Sequence, residues 1–156
     1  MRRIDLIVIH CSASRVDRDF TEEDLEVCHR RRGFKGAGYH FYIRKDGNIK
    51  ATRPLERIGA HASGFNQSSI GICYEGGLDC KGRPADTRTP AQRENLWLLV
   101  RQILDTFPGC RVVGHRDLSP DLNKNGEIEP EEWVKACPCF EVKDEWEDVV
   151  SQLAVI

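Results

Sequence analysis

No stretch of this chain approaches the roughly 18 consecutive apolar residues that would span a bilayer, so no membrane-inserted helix is expected. Neither sign of charge dominates. With 23 basic and 25 acidic residues the net charge is -2, which gives no general attraction to nucleic acid or to an anionic membrane. The basic run Arg30-Arg31-Arg32 reads as a solvated helix end, where positive charge suits the macrodipole. The first residues lack the charged-then-apolar pattern of a secretory signal, and seven cysteines, an odd number, do not suggest a disulfide framework. Both features lead us to expect synthesis in a reducing cytoplasm, with Cys11, Cys28 and Cys73 acting as small core hydrophobes. Internal repeats and low-complexity linkers are missing too, so residues 1–156 read as a single domain large enough for its own core.

What is present is an alternation of strand and helix signals. Leu6 to His10 is an apolar run too short for a helix and reads as a buried central strand. Thr21, with Asp24 three residues on, caps a helix that closes at Gly33. Tyr39 to Arg44 and Asn48 to Thr52 form a hairpin through Lys45-Asp46-Gly47, and Ile70 to Glu75 is a further buried strand. Thr89-Pro90-Ala91-Gln92 is a capping box opening a helix whose Leu96, Leu99, Val100, Ile103, Leu104 and Phe107 recur at spacings of three and four. Arg111 to Gly114 returns as a strand, and a last amphipathic segment carries Trp146, Val149, Val150 and Leu153. This order predicts an α/β fold, a mixed central sheet flanked by helices.

Three residues could share one zinc ion: His10 and His115 at the ends of predicted strands, and Cys137 beside Pro138. Strand carboxyl ends are where ligand sites gather in α/β sheets. Two nitrogens and a sulfur leave a tetrahedral ion one open position, the mark of a catalytic rather than a structural site. Each histidine alone reads equally as a hydrogen-bonded packing residue, and separations of 105 and 22 positions match no local finger motif. Cys139 competes with Cys137 as the third donor. His40 is expected to pack, since it faces away from the neighbouring Tyr39.

Four stretches carry a resemblance: Ile7-Val8-Ile9-His10-Cys11-Ser12-Ala13, Gly38-Tyr39-His40-Phe41, Gly59 to Asn66 running on to Ser69-Ile70-Gly71, and Lys135-Ala136-Cys137-Pro138 with Phe140. Together they resemble the zinc-dependent N-acetylmuramoyl-L-alanine amidases, most of all the amidase-type lysozymes of tailed phages, relatives of the peptidoglycan recognition proteins. The resemblance implies zinc on His10, His115 and Cys137, with Tyr39 and Lys135 catalytic. It also implies hydrolysis of the amide between muramic acid and L-alanine in peptidoglycan by an endolysin that reaches the cell wall after release. His61 and Asn66 border the implied cleft or stabilise a turn. Other implied readings are a peptidoglycan-binding module without catalysis and a cytoplasmic amidase recycling muropeptides. Some phage relatives also bind RNA polymerase, a contact for which no residue here selects.

The chain departs from the phage pattern between His115 and Cys137, where the phage enzymes are shorter. The extra residues 121–132 match an EF-hand calcium loop: Asp121, Asn123, Asn125, the turn residue Gly126, Glu127 and Glu132 fall at its positions 1, 3, 5, 6, 7 and 12. Calcium is thus expected as a second cofactor, and a metal-free polar turn is the alternative.

Overall fold

β1 (Leu6–Cys11) lies between two parallel partners, which explains why its sequence is apolar throughout: both of its faces are covered. A computed structural model describes residues 1–146 and places β1 in a five-stranded sheet. β2 (Ser14–Arg15) leaves that sheet. β3 (Phe41–Ile43) and β4 (Ile49–Ala51) form the antiparallel hairpin, β5 (Ser69–Tyr74) follows, then β6 (Gly77–Leu78) and β7 (Arg111–Gly114). The sheet order is β4-β3-β5-β1-β7, and β2 pairs with β6 in a separate two-stranded ribbon. The mixed α/β architecture is the one expected from the sequence.

Alternation along β1 divides its side chains between two layers. Ile7, Ile9 and Cys11 join Ile70, Ile72 and Tyr74 against Leu96, Leu99, Val100, Ile103 and Leu104 of helix α2 (Pro90–Thr106). Removing one such side chain, as in Leu96→Ala, costs about 2–5 kcal/mol. Leu6 and Val8 face the other way, toward Ala62 and Val113, and His10 follows them on that side. This second layer also holds Leu25 of helix α1 (Glu22–Arg31), packed with Tyr42 and Cys73.

Both helices open on the capping boxes read from the sequence, Thr21 with Asp24 and Thr89 with Gln92. Gln92 does more than cap, because its Nε2 donates to the carbonyls of Ile43 and Glu75 and so fixes α2 to the ends of β3 and β5. The hairpin strands are shorter than expected. Beyond Phe41 the His40 carbonyl still accepts from the Thr52 amide, but the Tyr39 carbonyl accepts from the Thr52 hydroxyl and Gly38 bonds to Ala60, so the regular ladder stops there. Cys28 is exposed on α1, contrary to its core reading, whereas Cys11 and Cys73 are buried. Among the described residues no cysteine is paired and no helix is long and apolar enough to cross a membrane. Trp146 is buried against Phe140, and the expected continuation through Val149, Val150 and Leu153 lies outside the described residues.

Candidate metal centre

Parallel pairing sets the first two donors side by side. Ile9 of β1 is in register with Gly114 of β7, so the residues that follow, His10 and His115, emerge together, with ring centroids 4.6 Å apart. His115 opens a short 3-10 turn held by Asp117, whose carboxylate accepts from the Gly114 amide at 2.8 Å. The third donor comes from the far end of the chain. The Arg116 amide donates to the Cys137 carbonyl at 2.9 Å, and the Tyr74 hydroxyl to the Pro138 carbonyl at 2.6 Å, seating 137–138 across the ends of β7 and β5. Position 114 must be glycine here, since a Cβ would lie 2.7 Å from Pro138 Cδ.

The result is one ligand atom each from His10, His115 and Cys137, all within 4.8 Å of one another. Among the described residues this is the one group of three or more metal-capable donors so gathered. Cys139 is turned away. Its sulfur lies 3.9 Å from that of Cys11 and donates to the Gly77 carbonyl.

Burial pushes the pKa of His10 far below its ordinary value, helped by the charges of His61, His115 and Lys135. Burial and Lys135 lower that of His115 as well. Both rings are therefore neutral at neutral pH and can offer a lone pair, as metal binding demands. The neighbouring Cys11 thiol is pushed up to about 12, first by its hydrogen bond with Cys137 and also by burial, and stays protonated. Two imidazole nitrogens and one sulfur, with no carboxylate among them, fit zinc's preferences and leave its fourth position open.

Around the donors stand the other residues singled out from the sequence. Tyr39 is half-buried with its ring 4.8 Å from that of His10, and burial raises its phenol pKa well above the usual value. Lys135 is exposed, two residues before Cys137, and its charge reaches both histidines. His40 packs, as expected: its Nδ1 accepts from the Gly71 amide at 3.0 Å and its Nε2 donates to the Arg57 carbonyl at 2.8 Å. Asn66 caps the turn, its Oδ1 accepting from the amides of His61 and Ala62.

One contributor, His29, is not anticipated from the sequence, and a second, His61, is placed by it at the cleft border without a chemical role. His29 on α1 accepts the Gly38 amide at 2.7 Å and brings its ring within 5.3 Å of Tyr39, so it steadies that residue from behind. His61 places Nδ1 2.9 Å from His10 Nε2. The signal for His61 was its place among Gly59, Gly64 and Gly71, which hints at a ring needing room.

The 121–132 segment folds as a turn rather than as a gathered ion cage. Asp121 Oδ2 accepts from the Gly126 amide, and Asn123 and Asn125 side-chain oxygens accept from the amides two residues on. Buried Glu132 turns its carboxylate to the amides of Leu122, Asn123 and Glu129, while Glu127 is exposed. Asp121 Oδ1 is buried without a hydrogen-bond partner.

Three metal-capable donors at the carboxyl edge of a mixed sheet, with Tyr39 packed on His10, suit a hydrolase. The chain belongs to the N-acetylmuramoyl-L-alanine amidase family, whose model matches residues 1–138. It is 35% identical over 141 residues to the endolysin of Klebsiella phage KP32, covering 90% of this chain and 84% of that one. To the endolysin of Escherichia phage T7 it is 34% identical over 143 residues, covering 92% and 85%. Among solved structures, the N-acetylmuramoyl-L-alanine amidase LysC from Clostridium intestinale superposes with a TM-score of 0.70 at 28% identity, covering 98% of this chain and 87% of that chain. Drosophila PGRP-LB shares the fold, with a TM-score of 0.68 at 21% identity over 94% of this chain and 81% of that one.

Proposed function

We propose that this amidase is zinc-dependent, that it hydrolyses the amide joining the lactyl group of N-acetylmuramic acid to L-alanine in peptidoglycan, and that it serves as a phage or prophage endolysin. The observation that carries this reading is the convergence of His10, His115 and Cys137 within 4.8 Å in a chain of this family. The endolysin relatives, matched over most of their length, support the lytic role. Action on the wall after synthesis on the cytoplasmic side follows from that role.

His10, His115 and Cys137 would hold the zinc ion, which when bound would supply an activated water and polarise the carbonyl. The remaining work falls to the protein. Tyr39, against His10, orients the attacking water by hydrogen bonding. Lys135 sets its positive charge against the oxyanion that develops as the water oxygen bonds to the carbonyl carbon, a contribution of about 3–4 kcal/mol for one well-placed donor. The C–N bond then breaks, and the alanine nitrogen leaves with a proton taken from the attacking water.

Calcium on the 121–132 segment belongs to the same proposal. It is supported by the match to every fixed EF-hand position and by the unpartnered Asp121 Oδ1, a buried acceptor that a cation would satisfy. Binding requires Glu132 to exchange its backbone partners for the ion.

Incubating purified peptidoglycan with the zinc-loaded protein tests the reaction. Free L-alanine amino termini are expected. New reducing sugar ends would instead make the protein a glycosidase, and binding without products would reduce it to a recognition module.

A further inference from the structure

His61 sits behind the metal centre, and its surroundings are built around its ring. Its backbone is held by Asn66, and its ring lies on two glycines: a Cβ at Gly59 or Gly71 would come within 2.6 Å of ring carbon Cδ2. On the far side, Nε2 is 3.2 Å from the hydroxyl of fully buried Ser69. On the near side, Nδ1 is 2.9 Å from His10 Nε2, with the two rings edge-on at 90°.

Between two neutral imidazoles only one can donate. If His61 gave the proton, His10 would accept at Nε2, carry its own proton on Nδ1, and have no lone pair left for a metal. If His10 gives it, Nδ1 is the free nitrogen, and His61 turns its own N–H toward Ser69 Oγ. Only the second arrangement leaves His10 a free lone pair while keeping the contact between the two rings.

We infer that His61 is a positioning residue for the metal centre: by accepting the Nε2 proton of His10 it fixes that ring's tautomer and orientation and leaves Nδ1 to bind zinc. The inference rests on the zinc reading above. A hydrogen-bond acceptor behind a ligating histidine commonly governs affinity by 10- to 100-fold. Ser69 extends the row by holding His61 in the accepting form, and Gly59 and Gly71 give the ring its seat.

Two measurements test this without reference to turnover. In zinc-loaded wild-type protein, ¹⁵N NMR of the histidine rings should show His10 with a proton on Nε2 and the metal on Nδ1. A proton on Nδ1, or zinc on Nε2, overturns the inference. Zinc affinity by chelator competition should weaken 10- to 100-fold in His61→Leu. It should largely recover in His61→Asn, whose Oδ1 stands where Nδ1 stood. Equal weakening in both variants would reduce His61 to a packing residue, and wild-type affinity in His61→Leu would remove it from the centre altogether. Should His61→Leu fail to fold, as its metal-free melting curve would reveal, the wild-type spectrum decides. Wild-type protein that binds no zinc would overturn the zinc reading and this inference together, whereas tight zinc binding with the wrong tautomer overturns this inference alone.

Discussion

The sulfur of Cys137 accepts a hydrogen bond from the amide of Cys11 at 3.2 Å, which ties the last donor to the strand residue immediately after the first. That contact separates Cys137 from its neighbour Cys139, whose sulfur is directed at Cys11 Sγ and Gly77. Cys137→Ala should therefore abolish stoichiometric zinc binding and activity, while Cys139→Ser should keep both. Zinc analysis after gel filtration checks this, and the reverse pattern would make Cys139 the ligand.

Tyr39 and Lys135 flank the donors without belonging to them. Tyr39→Phe and Lys135→Ala should each retain one zinc per chain and lose mainly kcat, roughly 100-fold or more. Metal content together with steady-state rates on peptidoglycan distinguishes this from loss of the ion. Near-normal turnover in Lys135→Ala would make that side chain an ordinary solvated lysine.

If the 121–132 segment binds calcium, the ion orders the connection between His115 and Cys137 and lowers the entropic cost of closing it. Added calcium should then raise the melting temperature of the zinc-loaded protein, and Asp121→Ala combined with Glu132→Gln should abolish the rise. Calorimetry showing no binding at millimolar calcium would leave the segment a polar turn and leave the amidase untouched.

Acid should weaken the fold through His40. The ring is buried, and burial depresses its pKa to about 4 from an ordinary 6.5. Protonating Nδ1 would also set an N–H against the Gly71 amide that now donates to it. Because the folded pKa is the lower one, the unfolded chain binds the extra proton first. Stability is lost as pH falls from about 6.5 to about 4, by roughly 3 kcal/mol for this group. His40→Asn keeps an acceptor for Gly71 without titrating. Denaturation across that window should show a shallower slope for the variant, by up to one proton, and identical slopes would exclude His40 as the acid-sensitive group.

Much of this architecture was legible because local and tertiary demands coincide. β1 and β5 are apolar throughout because both faces are covered, and α1 and α2 announce themselves through Thr21 with Asp24 and Thr89 with Gln92. The sheet order was not legible, since parallel pairing of β1 with β5 and β7 depends on residues some 60 and 100 positions away. Resemblance brought His10, His115, Cys137, Tyr39 and Lys135 into one group and set His61 at the cleft border, while the hydrogen-bond partners of His61 and the whole contribution of His29 remained hidden. His29 and His61 act through single hydrogen bonds across loops, and no periodicity records such contacts.

The donors also stand in a temporal order. His10 leaves the ribosome early, His115 long after it, and Cys137 later still, while the sheet that aligns the histidines needs β7. A nascent chain stalled before residue 137 can bury much of its core yet has two donors and an incomplete coordination set. The exposed stretch 122–127 has a parallel effect after synthesis, because a single cut there puts Cys137 and Lys135 on a different fragment from the histidines. On the proposed ligand set, a truncated chain lacks the third donor outright, whereas a nicked one keeps it only through the contacts of residues 137–138 with Arg116 and Tyr74.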